Sequence, residues 1–451
     1  MLQKQLEALL CSSDPKNVHL GLTLLESNPN LQRPSYIDSA LLLYGPLYHA
    51  QQLWKGQPYW SDVATILAAL LPLDTLEFPR HLPAHFLYHF GQLPNLRVLK
   101  SRYNKWKELP PAIGACTQLE ALHLKGNQLE SLPKELGLCQ QLKVLDVSQN
   151  NLRTLPILLE KLTQLEALDV SSNPLSKANW DLLKAFPALT KFHASRCSLQ
   201  QVPTELMDSV LLQELDLNSN KIQYLPESIY WPALKKLDLG GNQLTDLPTS
   251  LQEAPALHTL RLKRNKITIF PTILLRLQQL QTLLLDGNQL QQLPSSLLSW
   301  QQLQHLSLRN NELTELPTVL FELPQLRALH LHNNQLTHLP PSIARALVLE
   351  ELDCSSNQLK TLPDTLGQSS TLIILNLDYN NLESLPNTWK TLPALTQLSI
   401  SRNSIKQLPE WLLHCAQLQH LSVDIHLEHD PILISLEQNN QVSIGKAVSF
   451  A

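Results

Sequence analysis

The chain has 451 residues, 43% of them apolar, with only 12 glycines but 31 prolines. That bias speaks against an ordinary multi-domain enzyme, whose turns and ligand loops need more glycine, and matches one small unit copied many times. Thirty-five basic against 39 acidic residues, a net charge of −4, favours neither nucleic acid nor an anionic membrane surface, and no apolar run is long enough for a membrane span.

Residues 1–13 read MLQKQLEALLCSS. Glu7 interrupts any hydrophobic region, and Leu10 stands where a lipoprotein cleavage site needs a small residue, so the start is expected to be cytosolic and the protein cytoplasmic. Leu6, Leu9 and Leu10 predict one helix. Ser13-Asp14-Pro15 is a start signal for a second, made apolar by Val18, Leu20, Leu22, Leu24 and Leu25. Further helices are expected over 36–53 and 62–71. Residues 1–72 therefore read as a small N-terminal α-helical domain, either a plain cap or a second binding module. Residues 73–95 have the length of one repeat and its Leu73, Leu76 and Phe78, but His81 in place of its asparagine, and read as a degenerate first repeat.

From 96 to 417 the chain repeats without interruption. Fourteen repeats start at Leu96, Leu119, Leu142, Leu165, Leu189, Leu212, Leu234, Leu257, Leu280, Leu303, Leu326, Leu349, Leu372 and Leu395. Twelve share one length; the one at Leu165 is longer by a single residue and the one at Leu212 shorter by a single residue. The repeat at Leu280, LQTLLLDGNQLQQLPSSLLSWQQ, shows the pattern LxxLxLxxNxLxxLPxxLxxxxx. Its start alternates with the strand period, so Leu283 and Leu285 face a core while Leu284 and Asp286 face away. A strand this short is stable only when paired with the same strand of the next repeat, which gives a parallel sheet. Leu290, Leu293 and Leu297 fill the rest of the core. Pro294 fixes the turn, and the segment after it suits a helical turn or a short helix.

Thirteen of the fourteen repeats carry asparagine at the ninth position: Asn104, Asn127, Asn150, Asn173, Asn220, Asn242, Asn265, Asn288, Asn311, Asn334, Asn357, Asn380 and Asn403. This is where the chain leaves the strand, and an amide that both donates and accepts can satisfy the buried backbone groups of neighbouring turns. Cys197 is the exception. The repeats at Leu165 and Leu189 break the pattern together, with Asn179 for the proline, Cys197 for the asparagine, Ala194 for a core leucine and one extra residue, so the weakest packing is expected there. Five of the six cysteines fall on fixed repeat positions and no CxxC occurs, which favours buried, reduced thiols over disulfides or metal.

Residues 418–451 begin another repeat with Leu418, Leu421 and Val423. His426 then stands in the asparagine position and the pattern dissolves; 441–450 suits a terminal strand, and the segment reads as a degenerate terminal repeat and cap. No nucleotide-binding, nucleophile-elbow, zinc-protease or calcium-loop motif occurs, so neither catalysis nor a cofactor is expected. His81, His85 and His89 are spaced for a metal, but Pro83 separates the first from any helix and no carboxylate joins them. His305, His330 and His332 fall on neighbouring strands and read as a recognition patch rather than a metal site.

The repeat resembles the leucine-rich-repeat superfamily, and its LxxLPxxL form resembles the intracellular 23-residue class seen in Shoc-2, Scribble, erbin, plant Ras-group repeat proteins and bacterial relatives. The resemblance covers 96–417, most of the chain. It implies an α/β solenoid, a curved horseshoe whose parallel β-sheet lines a concave face that binds proteins.

On that face the fifth position of each repeat reads Lys100, His123, Asp146, Asp169, His193, Asp216, Asp238, Arg261, Leu284, Ser307, His330, Asp353, Asn376 and Ser399. The third and seventh positions add Arg102, Lys125, Lys191, Glu214, Lys263, His305, Arg309, His332, Glu351 and Asp378. The signs fall in bands: basic, then acidic through Asp146, Asp169, Asp216 and Asp238, then basic through Arg261, Lys263 and Arg309, then acidic at Asp353 and Asp378. Aspartate at position five is also common background in such repeats, and that reading stays open. Like charges one strand apart repel unless something offsets them, and a partner of complementary pattern would do so. The expected function is a non-catalytic scaffold in signal transduction, a monomer that binds a protein or peptide on the concave face. The alternative is a regulatory or targeting subunit whose activity lies in residues 1–72.

Overall fold

In a computed structural model of the chain, residues 74–77, 95–176, 178–390, 392–438 and 442–447 are described. The expectations for residues 1–72, for most of 73–95 and for His81, His85 and His89 fall outside them. The chain divides into two compact bodies, one ending at Asp216 and one beginning at Leu217.

The repeat at Leu280 shows how the sequence builds the unit. Thr282–Leu284 is a three-residue strand whose middle residue alone is fully buried. It pairs in parallel with Thr259–Arg261 on one side and His305–Ser307 on the other, one residue opposite its equivalent each time. Leu280, Leu283, Leu285, Leu290 and Leu297 are all sealed from solvent. At about 1.5–3 kcal/mol for each buried leucine, this packing is the main force holding one repeat on the next. Prolines at position fifteen sit near φ −70° and lead into 3-10 turns such as Pro341–Arg345, Lys134–Leu138 and Thr272–Arg276, the short helical segments expected after the Leu-Pro step.

Within the first body the strands run in register from Thr75–Glu77 through Val98–Lys100, Ala121–His123, Val144–Asp146, Ala167–Asp169 and Lys191–His193 to Glu214–Asp216. In the second they run from Lys236–Asp238 through Thr259–Arg261, Thr282–Leu284, His305–Ser307, Ala328–His330, Glu351–Asp353, Ile374–Asn376, Gln397–Ser399 and His420–Asp424 to Ser443–Ala447. In each body the leucines of the strands lie on one side of the sheet and the variable positions on the other.

The asparagine column forms as its chemistry requires. Asn288 donates through Nδ2 to the carbonyls of Leu285 (2.8 Å) and, one repeat back, Leu262 (3.0 Å), while its Oδ1 accepts the Ile267 N–H at 3.1 Å. Asn127, Asn150, Asn242, Asn265, Asn311, Asn334, Asn357 and Asn380 repeat this pattern. The residue just before the ninth position has positive φ in all fourteen repeats, between 53° and 72°, and only three of those residues are glycine: Gly126, Gly241 and Gly287. A left-handed conformation costs a side-chain-bearing residue about 1–2 kcal/mol, so the hydrogen bonds of the ninth side chain hold a strained turn in place eleven times over.

The two irregular repeats solve the turn differently. Cys197 donates through Sγ to Val170 O and Ser195 O at 3.3 and 3.4 Å, and the Leu175 N–H bonds Asn173 O within its own repeat at 2.9 Å. Asn179, in the proline's place, accepts the Asp181 N–H at 3.0 Å. Phe192 occupies a leucine position and meets Trp180 edge-on at 5.6 Å, which offsets the volume missing at Ala194. At the far end, Asp424 accepts the Arg402 and Asn403 N–H groups, and Asp430 accepts both the Leu408 N–H and the Ile432 N–H that opens the helix Pro431–Gln438. His426, in the asparagine position, bonds Ile405 O at 2.7 Å.

Candidate protein-binding surface

Because strand neighbours alternate sides, positions three, five and seven of every repeat share the sheet face opposite the leucine core. In the first body Asp146 accepts the Ser148 N–H (3.1 Å) and hydroxyl (2.6 Å) and faces His123 at 3.9 Å. Burial raises its carboxyl, but the hydrogen bonds from His123 and Ser148 outweigh this and hold it below the usual carboxylate value. Asp169 accepts the Ser171 N–H at 2.9 Å, and His193 stands between Asp169 (4.0 Å) and Glu214 (3.9 Å). Asp216 ends the last strand of this body.

In the second body Asp238 accepts the Gly240 N–H at 3.0 Å and faces Arg261 at 3.7 Å. Lys263 reaches Asp286 at 2.8 Å; Asp286 also accepts the Ser307 hydroxyl and, at 3.2 Å, the Arg309 N–H. Arg309 crosses two strands to Asp353 at 3.3 Å, Asp353 accepts the Ser355 N–H at 3.2 Å, and His330 pairs with Glu351 at 2.9 Å. Leu284 lies half-buried opposite Arg261 in the register, with Thr259 and Thr282 paired beside them.

These contacts give aspartate at position five a duty in the fold. The seventh-position N–H points away from the ladder that joins the repeats, and the carboxylate two residues earlier caps it. Asn376 does the same for the Asp378 N–H at 3.1 Å. Much of the repulsion that a partner was expected to relieve is relieved within the chain, because Asp146, Asp169, Asp238 and Asp353 each have a histidine or arginine neighbour. Asp286, expected to face away from the core, was not counted among the charges of the bands, although the seventh positions Lys263, Asp286 and Arg309 alternate in sign and so announce an ion-pair chain. His305, His330 and His332 do not converge: His330 faces Glu351, and His332 bonds the Ser355 hydroxyl at 2.8 Å. Among the described residues no three potential metal ligands gather.

Comparison with known proteins agrees with this geometry. A family described as leucine-rich repeat region matches residues 70–194, and one described as leucine rich repeat matches overlapping stretches from 211 to 424. The chain belongs to the leucine-rich-repeat family. A leucine-rich-repeat protein of Leptospira interrogans is 32% identical, with a TM-score of 0.72 over 83% of this chain and 95% of that one. Leucine-rich repeat-containing protein 7 of Rattus norvegicus is 46% identical over 59 residues, which is 13% of this chain and 4% of that protein's length. The Toll–Spätzle complex of Drosophila shares the fold, with 23% identity and a TM-score of 0.62 over 77% of this chain and 49% of that one. Among the described residues of this leucine-rich-repeat chain, no helix is long and apolar enough to cross a membrane.

Proposed function

We propose that this leucine-rich-repeat chain is a non-catalytic, monomeric scaffold of the cytoplasm that docks a protein or peptide partner on the sheet face of its second body, over Asp238, Arg261, Lys263, Leu284, Arg309, His330 and Asp353. The observation that carries this reading is the patch at Leu284. A half-buried apolar side chain and two threonines lie together, flanked on the preceding strands by the charges of Arg261, Lys263 and Asp238, and neither Leu284 nor Arg261 belongs to the leucine core. A dry centre inside a charged rim is the anatomy of a protein interface. The same fold is found in the Toll–Spätzle complex. On the first body, Asp146, Asp169, His193 and Asp216 line the equivalent face and are candidates for a further contact.

Rim charges act mainly on association and salt dependence, and the apolar centre on dissociation. With a partner isolated by affinity capture, surface plasmon resonance should show Arg261→Glu with Lys263→Glu slowing association, and Leu284→Asp raising the off-rate at least about tenfold, with folding intact. Wild-type binding by all of these, together with its loss on removing residues 1–72, would move the function to the N-terminal segment.

A further inference from the structure

The sheet face of the second body changes character toward its end. Asp238, Asp286 and Asp353 each face a cation, namely Arg261, Lys263 and Arg309. Asp378 has no such partner. Its Oδ1 accepts the Ser401 N–H at 2.6 Å, and among the described residues no donor reaches its other oxygen and no ion pair includes it. Asp378 opens into a cavity of about 330 Å³ on the sheet face, walled by Arg309, His332, Asp353, Ser355, Asn376 and Tyr379.

We propose that this cavity receives the basic side chain of a lysine or arginine carried by the docking partner, with Asp378 as its counter-ion. The proposal rests on the reading of the sheet face as the docking surface and names the chemistry that one part of it selects. The charges decide the sign of the occupant. Asp353 and Asp424 both act on Asp378, Arg309 spends its Nη2 on Asp353 while its Nε lies buried and, among the described residues, away from any acceptor, and His332 is hydrogen-bonded to Ser355. A carboxylate ligand would be repelled, and an apolar one would strand the serine, asparagine and aspartate groups of the walls. Tyr379, 56% exposed, offers an aromatic wall that favours a cation, and Arg402 already lies 5.5 Å from its ring centroid in that manner. Burial, reinforced by Asp424 and Asp353 against the Ser401 hydrogen bond, pushes the Asp378 carboxyl up to about 6. A cation seated on the ionised form lowers that value. Affinity is therefore full above it and fades as pH falls through it.

The test uses the full chain and small probes: acetyl-arginine methylamide, acetyl-lysine methylamide and the neutral isostere acetyl-citrulline methylamide. The readout is the Tyr379 ring resonance in tyrosine-labelled protein, assigned with Tyr379→Phe. The two basic probes should shift it saturably in the millimolar range, citrulline should not, and the shift should fade between about pH 7.5 and about pH 5. Asp378→Asn keeps the acceptor for the Ser401 N–H and should weaken the basic probes at least about tenfold. Citrulline acting like arginine, no shift with either basic probe, or undiminished binding to Asp378→Asn would each overturn the assignment. Such a failure alongside a large Leu284→Asp effect on the partner would leave the docking surface standing and remove only this cavity from it.

Discussion

The turn at Asn288 and the turn at Cys197 occupy the same place in their repeats and are held by different means. Asn288 ties the backbones of two repeats together: it donates to its own repeat and the previous one, and accepts from the previous one. Cys197 donates through sulfur to Val170 one repeat back and to Ser195 in its own repeat, while the Leu175 N–H bonds locally instead of crossing. The contrast separates two requirements that the repeat pattern merges. Carbonyls at the strand exit must be met from the next repeat, by whatever donor is small enough. The acceptor link survives in another form, since the Cys197 sulfur takes backbone N–H groups of Ser172 and Asn173 one repeat back, but a sulfur is a weaker acceptor than an amide oxygen, and Phe192 and Trp180 add apolar packing there.

The largest expected effect tests this contrast directly. Asn288→Ala should cost about 1–3 kcal/mol by chemical denaturation, because two carbonyls and one N–H lose partners in a buried place. Cys197→Ala should cost less, about 0.5–1 kcal/mol, since a thiol is a weak donor. Equal costs would mean that the column is not what holds the turns. Hydrogen exchange sharpens the same point: among internal repeats, those at Leu165 and Leu189 should exchange fastest, and uniform protection would contradict the account.

Next in size is a pH-dependent effect. The Asp378 carboxyl is raised in the folded chain, so its ionised form opposes folding above about 6, and the effect vanishes below the ordinary aspartate range, where both states are protonated. Asp378→Asn should therefore stabilise the chain near neutral pH, by about 1 kcal/mol at most once solvent screening is allowed for, and change little near pH 4. A gain that persisted unchanged in acid would show that the benefit is not electrostatic. The smallest effect is the control: exposed Gln291→Ala should change stability by about 0.5 kcal/mol or less.

The fold was readable because its determinants recur at fixed spacing. Leu283, Leu285, Leu290 and Asn288 announce their role because an apolar residue or an asparagine returns at their position in nearly every repeat. What escaped the sequence depends on who stands one repeat away. Nothing local to Tyr379 or Arg264 marks them as left-handed residues, since the strain is imposed by the column beside them. Asp146 and Asp238 looked like free surface charge until the seventh-position N–H groups they cap were visible. Asp424 and Asp430 end the second body's column with carboxylates at positions that no repeat pattern predicts. Of the candidate surface, the sharing of one sheet face was legible and the pairing across it was not: side chains such as Arg309 and Asp353, two repeats apart in the chain, meet only because the repeats stack in register.

That register has a consequence for how the chain finds its own structure. Between Lys236 and Ser443 every strand is offset from its neighbour by the same interval, the length of one repeat. Leucine and asparagine recur at that interval, so a strand that skipped its true neighbour and paired with the next would find the same hydrophobic and amide partners waiting. The backbone alone carries no address. The address is written on the other side of the sheet: Arg261 finds a carboxylate at Asp238, but a chain that bypassed the Leu257 repeat would set Leu284 there instead. The sheet-face charges thus number the repeats, and shuffling them while keeping every leucine should yield chains that collapse readily but assemble out of order.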